Sequence, residues 1–491
     1  MAKTQWAAIT NGQAVPLADI PELGPDEWRA AILSAKGEGR ICSMSGYSLP
    51  NGKTQVITVL GFRETHKLGL LKTQLGKYPA LTPDLPEAHI FERELWEQCK
   101  LTPVGHPWLK PVRYPGGGPE GEAAVTDFFA VEGQEIHEVA VGPVHAGVIE
   151  PGHFRFQCHG ENVFHLEIHL GYQHRGVERA LVNGPDKRTI HFMETLAGDT
   201  SIGHATAYAL NMEALCGITA PPRAQAIRAI ALEFERLANH TGDLGALAVD
   251  VGFLPTSAQC GKLRGDFLNM TGLICGNRFG RRLVRPGGAA CDLDADLISD
   301  LRLRLATAMQ DLQFPADLLW TTPSVLARFE GVGKVSHETA IAFGLVGMAA
   351  RASGVDMDVR HDFPIGWKLE KIAVCPSGDV FARARVRWLE ILAAAEIIEE
   401  RLNNLPAGPI SSEVGTALKP STCAVALTEG WRGEICHVAV TNEQGRFAHY
   451  KVVDPSFHNW TGLAMALRDL PISDFPLNNK SFNLSYCGFD L

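Results

Sequence analysis

Nine residues at 114–122, Tyr-Pro-Gly-Gly-Gly-Pro-Glu-Gly-Glu, constrain this chain more than any other stretch. Prolines and glycines at that density propagate neither a helix nor a central strand, so the sequence is predicted to divide there. At 491 residues it is also too long for one typical core. The division expected is a unit at 1–113, a linker at 114–127 and a second unit at 128–491.

The first unit reads as α/β. Asp26–Ala35 and Ala88–Gln98 have helical patterns, and Thr54–Gly61 alternates as a strand. The second unit opens with three short strands of a β-meander, Glu138–Val141, His153–Cys158 and Val163–His169, with Gly160-Glu-Asn as a hairpin turn. Helices dominate from Val177 onward. Residues 220–240 place proline in the first turn and carry an apolar stripe through Ile227, Ile230 and Phe234. Leu297–Leu312, Ser336–Arg351 and Val380–Leu402 read as further long helices. Strand patterns return at Ile435–Thr441 and His449–Val453, before a helical segment and Ser481–Leu491. The expected fold class is α+β: an α/β unit followed by a helical bundle with a small β-meander.

Composition removes several function classes. With 45 basic and 55 acidic side chains, a net charge of −10 and no basic block, a nucleic-acid partner is not expected. The N-terminus has no apolar signal-peptide core, and the most apolar run, Ala340–Ala350, is far short of a bilayer span. Membrane contact is therefore expected through partners or a surface patch. No two of the eleven cysteines lie within four residues of each other, so there is no CxxC pair. They read as reduced, buried thiols, and neither a disulfide framework nor a cluster or zinc site borne by this chain is expected. His165 and His169 are four apart, but a zinc site would also need a third ligand, and metal binding there is not expected. No GxGxxG follows a strand, and no P-loop or GxSxG occurs. The arginines at 278, 281, 282 and 285 read as partners for carboxylates at an interface.

Two stretches carry candidate chemistry. Val141–Phe156 holds His145, Glu150 and His153, residue types that exchange protons near neutrality, and His165, His169, His174 and Glu178 follow it. Glu194–His204 reads locally as a helix entrance running to about Leu215, with Asp199, Thr200 or Ser201 as the N-cap. Gly198 and Gly203 would allow close packing there, and His204 reads as a satisfied core histidine.

These stretches also carry a resemblance. Phe91-Glu-Arg-Glu-Leu-Trp-Glu and Gly105-His-Pro-Trp-Leu resemble the C (30-kDa) subunit of respiratory complex I. From Gly142-Pro-Val-His onward the chain resembles the complex I D (49-kDa) subunit and the large subunit of group 4, membrane-bound [NiFe] hydrogenases of the formate hydrogenlyase type. The matching segments are Gly171–Glu178, Pro222–Arg228, Glu233–His240, Arg351–Asp356, Gly378–Arg383 and Glu429–Glu434.

In those hydrogenases, ERxCGxCSxxH and DPCxxC supply four thiolates to nickel and iron. Here the first motif falls on Glu194–His204, with Ala197 and Thr200 at its cysteine positions. The second falls on Ser481–Gly488, with Ser485 and Gly488 at its cysteine positions and Cys487 out of register by one. A methyl, two hydroxyls and a hydrogen do not replace soft thiolates, so Ni–Fe is not expected.

The resemblance then implies a peripheral-arm subunit of a complex I-like, ion-translocating redox complex. Its former metal cavity would serve as a quinone or other redox-carrier pocket, a proton-coupling element, or both. Gly198, Asp199, Thr200, His204 and Tyr486 would line that cavity. His145 matches the quinone-holding histidine of the family, His153 stands for the second histidine of that loop, and Glu150 matches a proton-transferring carboxylate. The alternative is a non-catalytic coupling subunit with an empty cavity, and an active hydrogenase is the least favoured reading. Implied partners are a complex I B-like small subunit bearing a [4Fe–4S] cluster, and antiporter-like and H-like membrane subunits. The implied location is the cytoplasmic face of a bacterial inner membrane.

Overall fold

A computed structural model describes residues 5–49, 51–113, 127–147, 149–415 and 417–491. Most of the expected linker, 114–126, lies outside the described residues. The α+β class is observed. Its first layer is a sheet in the order Ala7–Ile9, Lys67–Gln74, Thr54–Phe62, Gly39–Ser48, with Glu22–Leu23 pairing in parallel beside Lys67–Gln74. The helix Pro25–Ser34 is anchored to it by Trp28, which is fully buried and donates from Nε1 to Thr58 Oγ1 at 3.0 Å. The helix His89–Cys99 packs on Gly39–Ser48 so closely that a Cβ at Gly46 would lie 2.9 Å from Cys99 Sγ.

Residues 136–169 form the expected antiparallel meander, Ile136–Val141, His153–His159 and Asn162–His169. A four-stranded sheet near the C-terminus runs Phe447–Val453, Glu434–Thr441, Thr422–Glu429, Gln13–Pro16. Its edge strand thus comes from the first twenty residues of the chain. Thr422–Glu429 and Glu434–Thr441 are buried at every position, as expected of strands covered on both faces.

The helices Ser201–Cys216, Pro222–Asp250, Leu254–Cys275, Ala295–Thr321 and Val380–Asn403 enclose the second core. Ile227, Ile230, Phe234 and Leu237 meet Phe267, Leu305 and Ile391 there. The single helix expected over Ser336–Arg351 is corrected to two, His337–Ala342 and Gly347–Arg351. Gly344 and Gly347 adopt φ values of +64° and +63°, which end one helix and turn the chain into the next.

Beneath Glu429–Glu434 lies a buried charge network. Arg351 meets Glu390 at 2.7 Å and Glu429 at 2.8 Å; Arg236 meets Glu233 at 3.0 Å; Arg360 meets Asp358 at 2.6 Å and Glu233 at 3.0 Å. Each charge is paired, so truncating one member would strand another in a dry interior. This network fixes the loop that closes over Glu194–His204.

Candidate functional site

Four segments converge: the 142–153 loop, Glu194–His204, Glu429–Glu434 and the terminal Asn483–Asp490. The helix expected after Thr200 runs Ser201–Cys216. Its cap differs from expectation, because none of Asp199, Thr200 and Ser201 accepts a bond from the first-turn amides. Glu235, projecting from Pro222–Asp250, does so instead, accepting from Ile202 N at 2.7 Å and Gly203 N at 3.2 Å. Burial of the Glu235 carboxyl pushes its pKa up to about 8, against those two amide bonds.

The side chains expected to cap are engaged elsewhere. The Thr200 hydroxyl donates to Asp199 Oδ1 at 2.9 Å and accepts from Trp431 Nε1 at 3.1 Å and Arg432 Nη1 at 3.3 Å. Ser201 Oγ donates to the Glu194 carbonyl at 2.7 Å. Arg432 grips Asp199 through both terminal nitrogens and donates from Nε to the Asn483 carbonyl, tying the two degenerate motifs together. Burial opposes ionisation of Asp199, but the guanidinium outweighs it and holds the carboxyl below its usual range.

At the second motif, Ser485 Oγ accepts from Gly488 N at 2.9 Å and lies 3.4 Å from Cys487 Sγ. A Cβ at Gly488 would stand 2.7 Å from Asp454 Cγ and 2.9 Å from Ser485 Oγ. The fourth thiolate position is therefore sterically closed by Asp454. Burial, with Glu150 adding to it, pushes the Cys487 thiol up to about 12, so it is protonated at neutral pH. Among the described residues no group of three or more His, Cys, Asp or Glu is arranged to hold a metal ion. Ala197, the saturated hydroxyls of Thr200 and Ser485, and Gly488 do not fit a Ni–Fe centre.

Glu150 reaches the terminal helix Tyr486–Phe489 from the opposite side. Its carboxylate faces Tyr486 N and Cys487 N, each at 3.4 Å, on a helix N-terminus where negative charge is favoured. Tyr486 is buried against Trp460 and under Gly152, where a Cβ would lie 2.6 Å from its ring. His145 is half-buried and bonded through Nε2 to the Gly152 carbonyl at 2.9 Å, which closes the loop on itself. His153 lies 3.3 Å from the Gly142 carbonyl, and burial lowers its pKa. Gly198 borders open space, since a Cβ there would meet nothing within 4 Å.

His204 is fully buried and belongs to a chain of four side chains. Its Nε2 lies 3.1 Å from Asp454 Oδ2, its Nδ1 lies 3.1 Å from His437 Nε2, and His437 Nδ1 lies 3.0 Å from the Tyr450 hydroxyl. Burial opposes the Asp454 charge, but the contact with His204 outweighs it and holds the carboxyl low. Burial also keeps His437 neutral and the Tyr450 phenol protonated. With Asp454 an acceptor only, His204 donates to it from Nε2, and the remaining contacts join His204, His437 and Tyr450 in one continuous line. The chain ends beside Gly488.

The structure thus gathers Glu150, Gly198, Asp199, Thr200, His204 and Tyr486 around one centre, with His145 and His153 holding the loop above it. It does not bring in His165 or His169, which line a separate cavity, although His169 stands directly opposite His153 across the meander. Nor does it bring in Glu178, which pairs with Lys451 at 3.0 Å. Among the interface arginines, Arg285 meets Glu194 at 3.4 Å, and Arg282 N donates to the same carboxylate at 2.6 Å.

Sequence reasoning missed Trp431, Arg432, Glu235, His437 and Asp454. Asp454 had a readable signal: it precedes Pro455-Ser456, the grammar of an N-cap, and it accepts from Ser456 N at 2.8 Å.

Residues 250–424 match the family model of the respiratory-chain NADH dehydrogenase 49 Kd subunit. The chain is 32% identical to formate hydrogenlyase subunit 5 of Escherichia coli (strain K12), over 84% of this chain and 76% of that protein. It is 33% identical to the carbon monoxide-induced hydrogenase of Rhodospirillum rubrum, over 70% of this chain and 95% of that protein. It is 30% identical to NADH-quinone oxidoreductase subunit 4 of Thermus thermophilus, over 69% and 90% respectively. The chain belongs to the large-subunit family that group 4 hydrogenases of the formate hydrogenlyase type share with the 49-kDa subunit of complex I.

Proposed function

We propose that this protein is the large subunit of a membrane-bound, complex I-like redox assembly, and that its former Ni–Fe position now handles protons rather than hydrogen. One observation carries the reading. The four thiolate positions hold Ala197, Thr200, Ser485 and Gly488, and Asp454 occupies the space beside the last of them. What remains is a set of proton-exchanging groups: Glu150 on the terminal helix and the Tyr450–His437–His204 chain ending on Asp454.

Glu150 stands where the loop meets the terminal helix and is half-buried, so it is the group through which protons enter or leave. Val144 and Ile149, 75% and 53% exposed on the same loop, offer apolar contact to an iron–sulfur small subunit of the complex I B type. No helix among the described residues is long and apolar enough to cross a membrane, so attachment would run through that subunit and the antiporter-like and H-like membrane subunits.

The test is Glu150→Gln in the assembled complex. Assembly and electron transfer are expected to persist while redox-driven ion translocation falls at least about a hundredfold, the low end for loss of a positioned proton-transfer group. Unchanged translocation would contradict the reading.

A second reading has its own support. The open space at Gly198, beside Asp199 and Glu150, suits a small redox carrier such as a quinone headgroup. Gly198→Trp would fill that space. Loss of quinone-analogue binding in this variant, with Glu150→Gln silent, would favour the carrier over the proton site.

A further inference from the structure

Away from that site, the two halves of the chain enclose a cavity of about 430 Å³. Its walls come from the helix His89–Cys99, the 106–112 segment, the strand Asn162–His169 and the helix Pro455–Ala466. The volume falls within the range of about 300–1,000 Å³ typical of small-molecule sites. Trp108, Phe343, Phe457 and Trp460 make much of the lining apolar and aromatic.

Its charges do not balance. Glu167 is already saturated: it accepts from Lys110 Nζ at 2.9 Å and Phe129 N at 2.8 Å, and its Oε1 lies 2.7 Å from His169 Nε2. Burial would raise its pKa, yet those bonds outweigh burial and hold it at about 2. Burial also pushes His89 down to about 3 and His106 to about 4, so both are neutral at pH 7.

Two guanidiniums remain. Arg93 donates from Nε to the Lys110 carbonyl at 2.8 Å and from Nη2 to the Pro111 carbonyl at 2.7 Å. Among the described residues its Nη1 has no hydrogen-bond partner, and it meets no carboxylate within ion-pair distance. Arg468, exposed at the cavity wall, has no side-chain hydrogen bond or ion pair among them either. Glu97 and Glu167 lie near enough to attract Arg93, but neither is within ion-pair distance of it and Glu167 is already engaged, so its free terminal nitrogen, facing a largely apolar chamber, can take an anion.

We propose that this cavity binds an amphipathic organic anion, with its carboxylate, sulfonate or phosphate head on Arg93 and Arg468 and its apolar body against the tryptophan and phenylalanine walls. The ligand class follows from the walls. A bare anion would leave the aromatic lining unused, and a neutral apolar molecule would leave both guanidiniums unpaired.

The test is fluorescence titration of the full-length chain with anilinonaphthalene sulfonate, with decanoate and inorganic phosphate as competitors. One saturable site is expected, displaced by decanoate and not by phosphate at the same concentration. Arg468→Gln, at an exposed position, is expected to weaken both organic anions at least about tenfold, as loss of a charge-assisted bond should. Ala464→Trp fills the chamber and is expected to abolish binding. Phosphate competing as well as decanoate would overturn the proposal, because it would mark a simple anion site. Unchanged affinity in Arg468→Gln would also overturn it, and this variant decides the matter if Ala464→Trp fails to fold.

Discussion

Arg432 holds Asp199 through two parallel bonds, Nη1 to Oδ1 at 2.7 Å and Nη2 to Oδ2 at 2.8 Å, while its Nε donates to the Asn483 carbonyl at 2.5 Å. One guanidinium therefore joins the two stretches where the metal ligands of the family would stand. The guanidinium is buried and Asp199 keeps 34% of its side chain exposed, so the two ends of the pair are not equivalent. Asp199→Ala strands the buried cation and should cost about 1–3 kcal/mol. The check is the urea midpoint at unchanged m value.

The glycines of the two motifs predict opposite outcomes. Gly488→Ala places a methyl 2.7 Å from Asp454 Cγ and should destabilise by about 1–3 kcal/mol, as overpacking does. Gly198→Ala meets open space and should change stability by less than about 1 kcal/mol. Thermal melts of the two variants side by side check the pair; equal effects would mean that Asp454 does not close the fourth position.

The buried chain predicts a gradient. His204→Ala leaves the Asp454 carboxylate, 1% exposed, without its imidazole donor and should cost about 1–3 kcal/mol. Tyr450→Phe, at the far end, removes one neutral donor and should cost about 0.5–1.5 kcal/mol. Denaturant unfolding of both variants measures the ratio.

Glu235 predicts a pH dependence. Burial, with Asp199 nearby, raises its folded pKa to about 8, whereas the unfolded value is the ordinary 4.5; Arg236 opposes the shift. Between those values the folded state holds the proton and the unfolded state does not. Stability should therefore fall as pH rises across that window, by at most about 1.4 kcal/mol per pH unit from this group. Glu235→Gln should flatten the slope of unfolding free energy between pH 5 and pH 8, a window set by the same linkage.

Much of the architecture was legible where pattern and length agreed. Thr54–Phe62, the meander strands and the helix beginning at Pro222 lie within a residue or two of their expected starts, because alternation or an apolar stripe is a local property. Thr422–Glu429 was not legible. Covered on both faces, it has no alternation, and its partner Gln13–Pro16 lies four hundred residues away in sequence.

The site shows the same divide. His145, Glu150 and Thr200 could be named from motif text, but the cap supplied by Glu235 and the clamp of Arg432 are tertiary contacts. Asp199 and Thr200 have the composition of an N-cap, yet a guanidinium and an indole took their oxygens first. Local propensity yields where a buried charge must be paired.

The central claim is that the family's metal position is closed in this chain. Nickel content of the full-length protein, purified anaerobically from nickel-supplemented cells, tests it most directly. Nickel at background level is the predicted result, and one nickel bound per chain would contradict the account.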